Sequence, residues 1–306
     1  MPKVLVSDAI ADEGVEILRA NAQVVVDDKI TPDALRLAIP EYDALVVRSR
    51  TQVIAPIIDT ATRLRVIGRA GVGLDNIDCD AAQRRGITVV NSPTCAMVSV
   101  AEHTVGLMIA LARFVPQADA SLRQGTWEKN KYLGIELCGK TLGIVGLGHI
   151  GSMVAVRAEA FGMRVLAYDP YIKGARAETF GATLLESLDD VLARCDFISI
   201  HTPLTPTTRG LIGAAELAKM KPNARLISCA RGGVVDENAL LRALESGTLA
   251  GAALDVFEHE PPGDNPLLKH PRVVATPHLG SMTKEAQKRA AIDVAEQVAE
   301  ILKREM

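Results

Sequence analysis

No apolar run in this sequence of 306 residues reaches the ~18 to 20 residues that a membrane-spanning helix needs. Nor is there an excess of charge of either sign, because 34 basic side chains stand against 37 acidic ones. That balance argues against a nucleic-acid-binding surface spread over the protein, though it leaves room for a local basic pocket. Cysteine is sparse. The five present, Cys79, Cys95, Cys138, Cys195 and Cys229, are odd in number and show no paired spacing. They fit free thiols in a reducing compartment and no disulfide or zinc framework, and no metal site is expected. Short-period repeats and low-complexity segments are missing as well. The opening residues, Met1-Pro2-Lys3-Val4-Leu5-Val6, read as a strand and not as a basic region followed by an apolar core, so no signal peptide is expected. What is present, 48% hydrophobic and 23% charged residues, excludes a disordered chain. The expectation is a soluble cytoplasmic α/β protein of about two domains.

The first third alternates short apolar runs with amphipathic stretches. Residues 4–6, 24–26, 45–47, 66–67 and 87–90 read as five strands, β-branched and almost continuously apolar, as in a parallel sheet covered on both faces. Helical stretches lie between them, at 12–20 and again after Thr31-Pro32-Asp33, an N-cap with proline in the first turn. A long helix is expected from Met97 to Arg113, and its interior Glu102 and His103 suit a buried helix bridging two domains, not a membrane span. A second βα series begins near Thr141, with strands at 142–145, 163–168, 197–200, 225–228, 252–256 and 273–275. The last helix, about 283–303, follows the end of the second sheet. It is therefore free to pack back on the first domain, which would make that domain discontinuous.

Gly146-Leu147-Gly148-His149-Ile150-Gly151 is a G-x-G-x-x-G that follows a strand and opens a helix. Gly146 makes the tight turn, Gly148 lets backbone N–H groups approach a pyrophosphate, and Gly151 lets helix and strand pack closely. The helix N-terminus adds partial positive charge. Asp169, at the end of the next strand, is placed to accept hydrogen bonds from both ribose hydroxyls of the adenosine half. A carboxylate there repels a 2′-phosphate, so the expected cofactor is NAD and not NADP. The earlier Gly71-Val72-Gly73 lacks a third glycine and reads as a loop at the edge of the first sheet, lining a cleft.

Three segments stand at strand ends of the second sheet, where ligands bind in such folds. They contain Arg231, Glu260 and His278. Chemistry on a 2-hydroxy acid needs a cation for the carboxylate, a base for the hydroxyl proton and a carboxylate to orient that base, and these residues supply the three types.

With these residues in view, the sequence resembles the D-isomer-specific 2-hydroxyacid dehydrogenases, and within them the branch that oxidises 3-phosphoglycerate. The likeness spans essentially the whole chain. Its most specific pieces are RAGVGLDNID at 69–78, CARGGVVDE at 229–237, residues 252–260 and Pro277-His278-Leu279-Gly280. It implies that Arg231 binds the substrate carboxylate and carbonyl, that His278 is the acid/base and that Glu260 is its partner. It further implies that Thr202, Cys229, Ala230, Asp255 and Gly280 contact the nicotinamide half of NAD, with His149 and Ile150 at the pyrophosphate. The substrate is then a phosphorylated 2-hydroxy acid, with Arg48, Arg69, Gly71, Val72 and Gly73 as the expected substrate-binding set and Arg50 a further cation beside them. The implied fold is α/β with two doubly wound parallel-sheet domains. One is a Rossmann NAD-binding domain over 97–283, the other a flavodoxin-like substrate domain from 1–96 plus 284–306. A homodimer or homotetramer is expected, with Lys129 and Lys131, beside Trp127, approaching a neighbouring subunit's site.

Three positions depart from the family pattern. His149 stands where the glycine loop commonly carries Arg, Ala96 where an Asn is frequent, and Met282 where Ser is common. The Ala96 change leaves room for another hydroxy acid, so a glyoxylate or hydroxypyruvate reductase is the nearest alternative. A dinucleotide-sensing scaffold is the alternative from another class. The sequence stops soon after the last helix, and feedback control through a serine-binding C-terminal domain is not expected from it.

Overall fold

The computed structural model describes residues 1–304. The chain forms two compact units, Met1–Ala96 joined by the chain from Ser281 onward, and Met97–Gly280. The second crossing thus lies after Gly280, not after residue 283, and Ser281, Met282 and Thr283 belong to the first unit.

In the first unit β1 (Lys3–Val6), α1 (Asp12–Arg19), β2 (Gln23–Val26), α2 (Pro32–Ala38), β3 (Ala44–Val47), α3 (Ala55–Ile58), β4 (Val66–Arg69), α4 (Cys79–Arg84) and β5 (Thr88–Asn91) alternate along the chain. All pairings are parallel, in the order β2-β1-β3-β4-β5. This is the flavodoxin-like order. The continuous apolar runs have the burial they call for, since every residue of β3 is buried between helices. The exception is β2, at the sheet edge, which leaves Val25 and Val26 exposed.

The second unit contains α5 (Met97–Arg113), α6 (Val115–Arg123), β6 (Thr141–Val145), α7 (His149–Ala160), β7 (Arg164–Tyr168), α8 (Gly174–Glu178), β8 (Ala182–Leu184), α9 (Leu188–Arg194), β9 (Phe197–Ile200), α10 (Ala214–Lys219), β10 (Arg225–Ser228), α11 (Glu237–Glu245), β11 (Gly251–Leu254) and β12 (Val273–Ala275). Its seven parallel strands run β12-β11-β10-β9-β6-β7-β8. The order reverses between β6 and β9, the switch point at which such sheets bind ligands. The strand β8, three residues long at the sheet edge, has no apolar run to announce it. The strand expected to reach residue 256 ends at Leu254, so Asp255 and Val256 lie in the loop beyond the sheet. The helix α5, expected to bridge two domains, lies within this unit, packed on α7, β10, β11 and β12.

The last helix, α12 (Lys284–Arg304), returns to the first unit. Its buried Ala290, Ala291, Val294, Ala295, Val298 and Leu302 repeat at helical spacing, the last four in one core cluster with strand residues Val4, Val6, Val46 and Val66. Two glycines permit the close approach. A Cβ on Gly14 would meet the Ala291 carbonyl oxygen at 2.7 Å, and one on Gly68 would meet Val294 Cγ1 at 2.6 Å. Polar ties add to this packing, from Ser92 Oγ to Asp293 at 2.5 Å and from Arg289 Nε to the Cys95 carbonyl at 2.9 Å. Among the described residues no single helix is long and apolar enough to cross a membrane.

Candidate active site

The glycine loop closes β6 onto α7. Gly146 takes a φ of +91°, which only glycine adopts freely. A Cβ on Gly151 would sit 2.1 Å from the Gly146 carbonyl oxygen, so this glycine lets the helix start against the turn. Gly148 differs. It caps α7 with no side-chain hydrogen bond, and a Cβ there would meet nothing within 4 Å. The first N–H groups of α7, on His149, Ile150 and Gly151, have no intrahelical partners. Asp169 is pinned beside them, Oδ2 accepting the Leu147 N–H and Oδ1 the Tyr171 N–H, both at 2.9 Å. Each oxygen retains a lone pair for a further donor. Across the switch point, beyond β9, Thr202 Oγ1 is buried and has no protein partner. An uncapped helix start, a cradle that a Cβ would enter, an oriented carboxylate and an orphan hydroxyl together suit a dinucleotide with its anionic pyrophosphate at the helix.

The neighbouring His201 was not singled out by sequence. Its Nε2 lies 2.8 Å from Ser199 Oγ and its Nδ1 is buried. Burial pushes the imidazole down to about 4, so it is neutral at ordinary pH.

The catalytic candidates stand at the ends of β10, β11 and β12. Arg231 follows Cys229 and Ala230 just past β10, and its Nη1 donates to the Ala230 carbonyl at 2.9 Å. Gly232 brings this loop onto the one after β11, where a Cβ would lie 1.8 Å from the Phe257 carbonyl oxygen. That second loop carries Glu260, whose Oε1 accepts the Phe257 N–H at 3.1 Å. Its Oε2 lies 2.7 Å from His278 Nδ1. A carboxylate only accepts, so Nδ1 is the donor and Nε2 is left as the free base. His278 itself has a φ of +52°, left-handed and unusual for a residue with a Cβ. Cys229 is buried, which pushes its thiol up to about 12, the reverse of the lowered pKa of a reactive cysteine.

Asp255 takes a place that its spacing alone did not reveal. It is 1% exposed. Its carboxylate accepts from Thr276 Oγ1 at 2.5 Å, Leu279 N–H at 2.7 Å and Gly280 N–H at 2.8 Å, and meets His103 Nε2 at 3.2 Å. Burial would raise its pKa. The donors outweigh that and hold the carboxyl below the usual carboxylate range.

The expected substrate-binding residues all fall in the first unit. Arg69 is the last residue of β4, with Gly71, Val72 and Gly73 in the loop after it. The Gly71 carbonyl accepts the Ser92 N–H at 2.9 Å, and the Val72 carbonyl accepts from Asn91 Nδ2 at 2.5 Å. Arg48 follows β3, held through its backbone N–H by Asp8 Oδ2 at 2.6 Å. Burial, only partly offset by Asp8, lowers its pKa. Arg50 is spent structurally, its Nε 3.0 Å from Asp8 Oδ1. Among the described residues no group of His, Cys, Asp or Glu side chains is arranged to hold a metal.

The family model of the D-isomer specific 2-hydroxyacid dehydrogenase, NAD binding domain, matches residues 105–280. This chain belongs to the D-isomer specific 2-hydroxyacid dehydrogenase family. It is 50% identical over 306 residues to D-3-phosphoglycerate dehydrogenase of Methanocaldococcus jannaschii, covering 100% of this chain and 58% of that relative. To the enzyme of the same name from Mycobacterium tuberculosis it is 51% identical over 298 residues, 97% of this chain and 56% of the relative. The chain thus spans little more than half the length of these relatives. A solved structure of D-lactate dehydrogenase from Aquifex aeolicus complexed with NAD and lactic acid superposes with a TM-score of 0.84 at 29% identity, covering 99% of this chain and 96% of that one. The match to the family's NAD binding domain falls within the second unit, which carries the glycine loop, Asp169 and Thr202.

Proposed function

We propose that this dehydrogenase oxidises D-3-phosphoglycerate to 3-phosphohydroxypyruvate, the first step of serine biosynthesis. The observation that carries the reading is identity of about one half, maintained over essentially the whole chain, with relatives of that name. Bound NAD supplies the hydride acceptor. Arg231 holds the substrate carboxylate and draws charge on the C2 oxygen toward its permanent cation. His278 takes the hydroxyl proton at Nε2, because Nδ1 is held by Glu260 at 2.7 Å. As the ring becomes imidazolium, its new charge faces that carboxylate. In the reverse direction His278 returns the proton while Arg231 balances the negative oxygen. Oxidation starts from the neutral ring and reduction from the charged one.

The test is a panel of 2-keto acids assayed with NADH. The expected result is the highest kcat/KM for 3-phosphohydroxypyruvate, and for His278→Asn a loss of orders of magnitude in turnover with NADH binding retained. A higher kcat/KM for glyoxylate or hydroxypyruvate would make the protein a reductase of unphosphorylated acids. NADH binding without turnover on any acid would make it a dinucleotide sensor. Arg48→Ala and Arg69→Ala are expected to raise KM for the phosphorylated acid far more than for glyoxylate, and equal increases would reject their phosphate role. We also propose a homodimer in the cytoplasm. Trp127 and Leu133, 82% and 86% exposed on the second unit, support a partner surface, and the unpaired cysteines suit a reducing compartment. Light scattering on the purified protein tests the dimer.

A further inference from the structure

We propose that His103 is a positioning residue for this reaction, acting on His278 through the buried carboxylate of Asp255. The inference rests on the acid/base assignment of His278. Four of the five residues from Thr276 to Gly280 hang on Asp255. Its side chain receives the Thr276 hydroxyl and the backbone N–H groups of Leu279 and Gly280. Its carbonyl receives the His278 N–H at 2.9 Å. A left-handed residue with a Cβ persists only where its surroundings impose that conformation, and these bonds enclose His278 on both sides. Asp255 also opens the loop that carries Glu260. One residue therefore roots both members of the His278–Glu260 pair.

The Asp255 backbone N–H is held by the Ser228 carbonyl at 2.9 Å, and a further donor to its side chain comes from α5. His103 Nε2 lies 3.2 Å from Asp255 Oδ1 and 3.1 Å from Thr276 Oγ1, so a single N–H reaches both. Among the described partners of the carboxylate, it alone lies outside the segment that Asp255 organises. The same helix face is close to the loop, since a Cβ on Gly280 would touch Val100 Cγ2 at 3.3 Å. Without the His103 donor, the carboxylate keeps only partners from the 276–280 segment, and the apolar contact of Val100 with that segment gives no directional hold on the buried anion.

The experiment compares His103→Phe, which keeps a ring and removes the donor, with His103→Gln, which restores an N–H of similar reach. We expect His103→Phe to lower kcat for keto-acid reduction roughly 10- to 100-fold, the scale of an ångström's misplacement of a catalytic group. NADH affinity by fluorescence titration and the thermal midpoint stay near wild type, and His103→Gln recovers most of the lost kcat. In proton NMR, the downfield Nδ1–H signal of His278 broadens or shifts in His103→Phe and returns in His103→Gln. If His103→Phe does not fold, Thr276→Val removes a donor from the same carboxylate, and the same split between kcat and NADH affinity is expected. Wild-type kcat in His103→Phe, a loss carried by NADH affinity, or a Gln variant as impaired as Phe would overturn the inference. His278→Asn with full turnover would remove the acid/base assignment instead.

Discussion

Replacing Gly232 by alanine adds one methyl between the loop that carries Arg231 and the loop that carries Glu260. Its Cβ would stand 1.8 Å from the Phe257 carbonyl oxygen and 2.7 Å from the Glu258 nitrogen, where real contacts essentially never fall below 3.0 Å. Both obstacles are backbone, so no rotamer change relieves them, and the loops must part by about 1.2 Å, the shortfall against 3.0 Å. Overpacking of this kind costs roughly 1–3 kcal/mol. In a domain of this size that lowers the thermal midpoint by roughly 2–12 °C. The functional loss is larger, because moving Arg231 against Glu260 and His278 by an ångström is worth about 100-fold in rate. Steady-state reduction of 3-phosphohydroxypyruvate measures this, with NADH titration as the control, since the glycine loop after β6 is untouched. A Gly232→Ala protein with kcat/KM close to wild type would refute the claim that these backbone contacts set the distance between cation and acid/base pair.

The two later glycines of the dinucleotide loop should differ in their effect on stability. Gly148→Ala fills open space, so it is expected to leave the thermal midpoint unchanged and weaken NADH binding, whereas Gly151→Ala, meeting the Gly146 carbonyl at 2.1 Å, should lower both; equal behaviour in a paired calorimetric and NADH titration would count against this reading of the loop. His201 is neutral in the fold, with a pKa of about 4 against ~6.5 when unfolded. Its contribution is therefore complete above the unfolded value and is lost as pH falls toward 4. Between pH 7 and 5, urea titrations should show wild type losing about 2 kcal/mol more than His201→Gln, and parallel losses would reject the assignment. Thiol labelling of the native protein should reach Cys138 first and Cys79 more slowly, because burial and the nearby Asp80 and Asp78 raise the Cys79 pKa. Cys195 and Cys229, both pushed up to about 12 by burial, should react only on unfolding, and fast labelling of either would contradict their burial.

Much of this was legible in the sequence because strands of parallel sheets write themselves as apolar runs, and helices as periodic ones. The helix α5 falls at Met97–Arg113 as read, and the glycine loop joins β6 to α7 as its pattern requires. Strand β8 was not legible: at three residues on a sheet edge it buries too little to need an apolar run. The ends of strands blurred for a related reason. Asp255 continues the extended stretch in sequence, but its polar group is consumed by loop donors beyond the sheet.

By itself the sequence determined the chemistry types and their order along the chain: a glycine loop, then a guanidinium, a carboxylate and an imidazole after successive strands. Those are local properties, written in residue identity and spacing. Only the tertiary structure decided which groups meet. It brought Glu260 Oε2 to His278 Nδ1, gathered the Thr276, Leu279 and Gly280 donors on Asp255, and drew His103 into that cluster from 152 residues away. A hydrogen bond between distant segments is fixed by how helices and strands pack, and no periodicity along the chain records that distance.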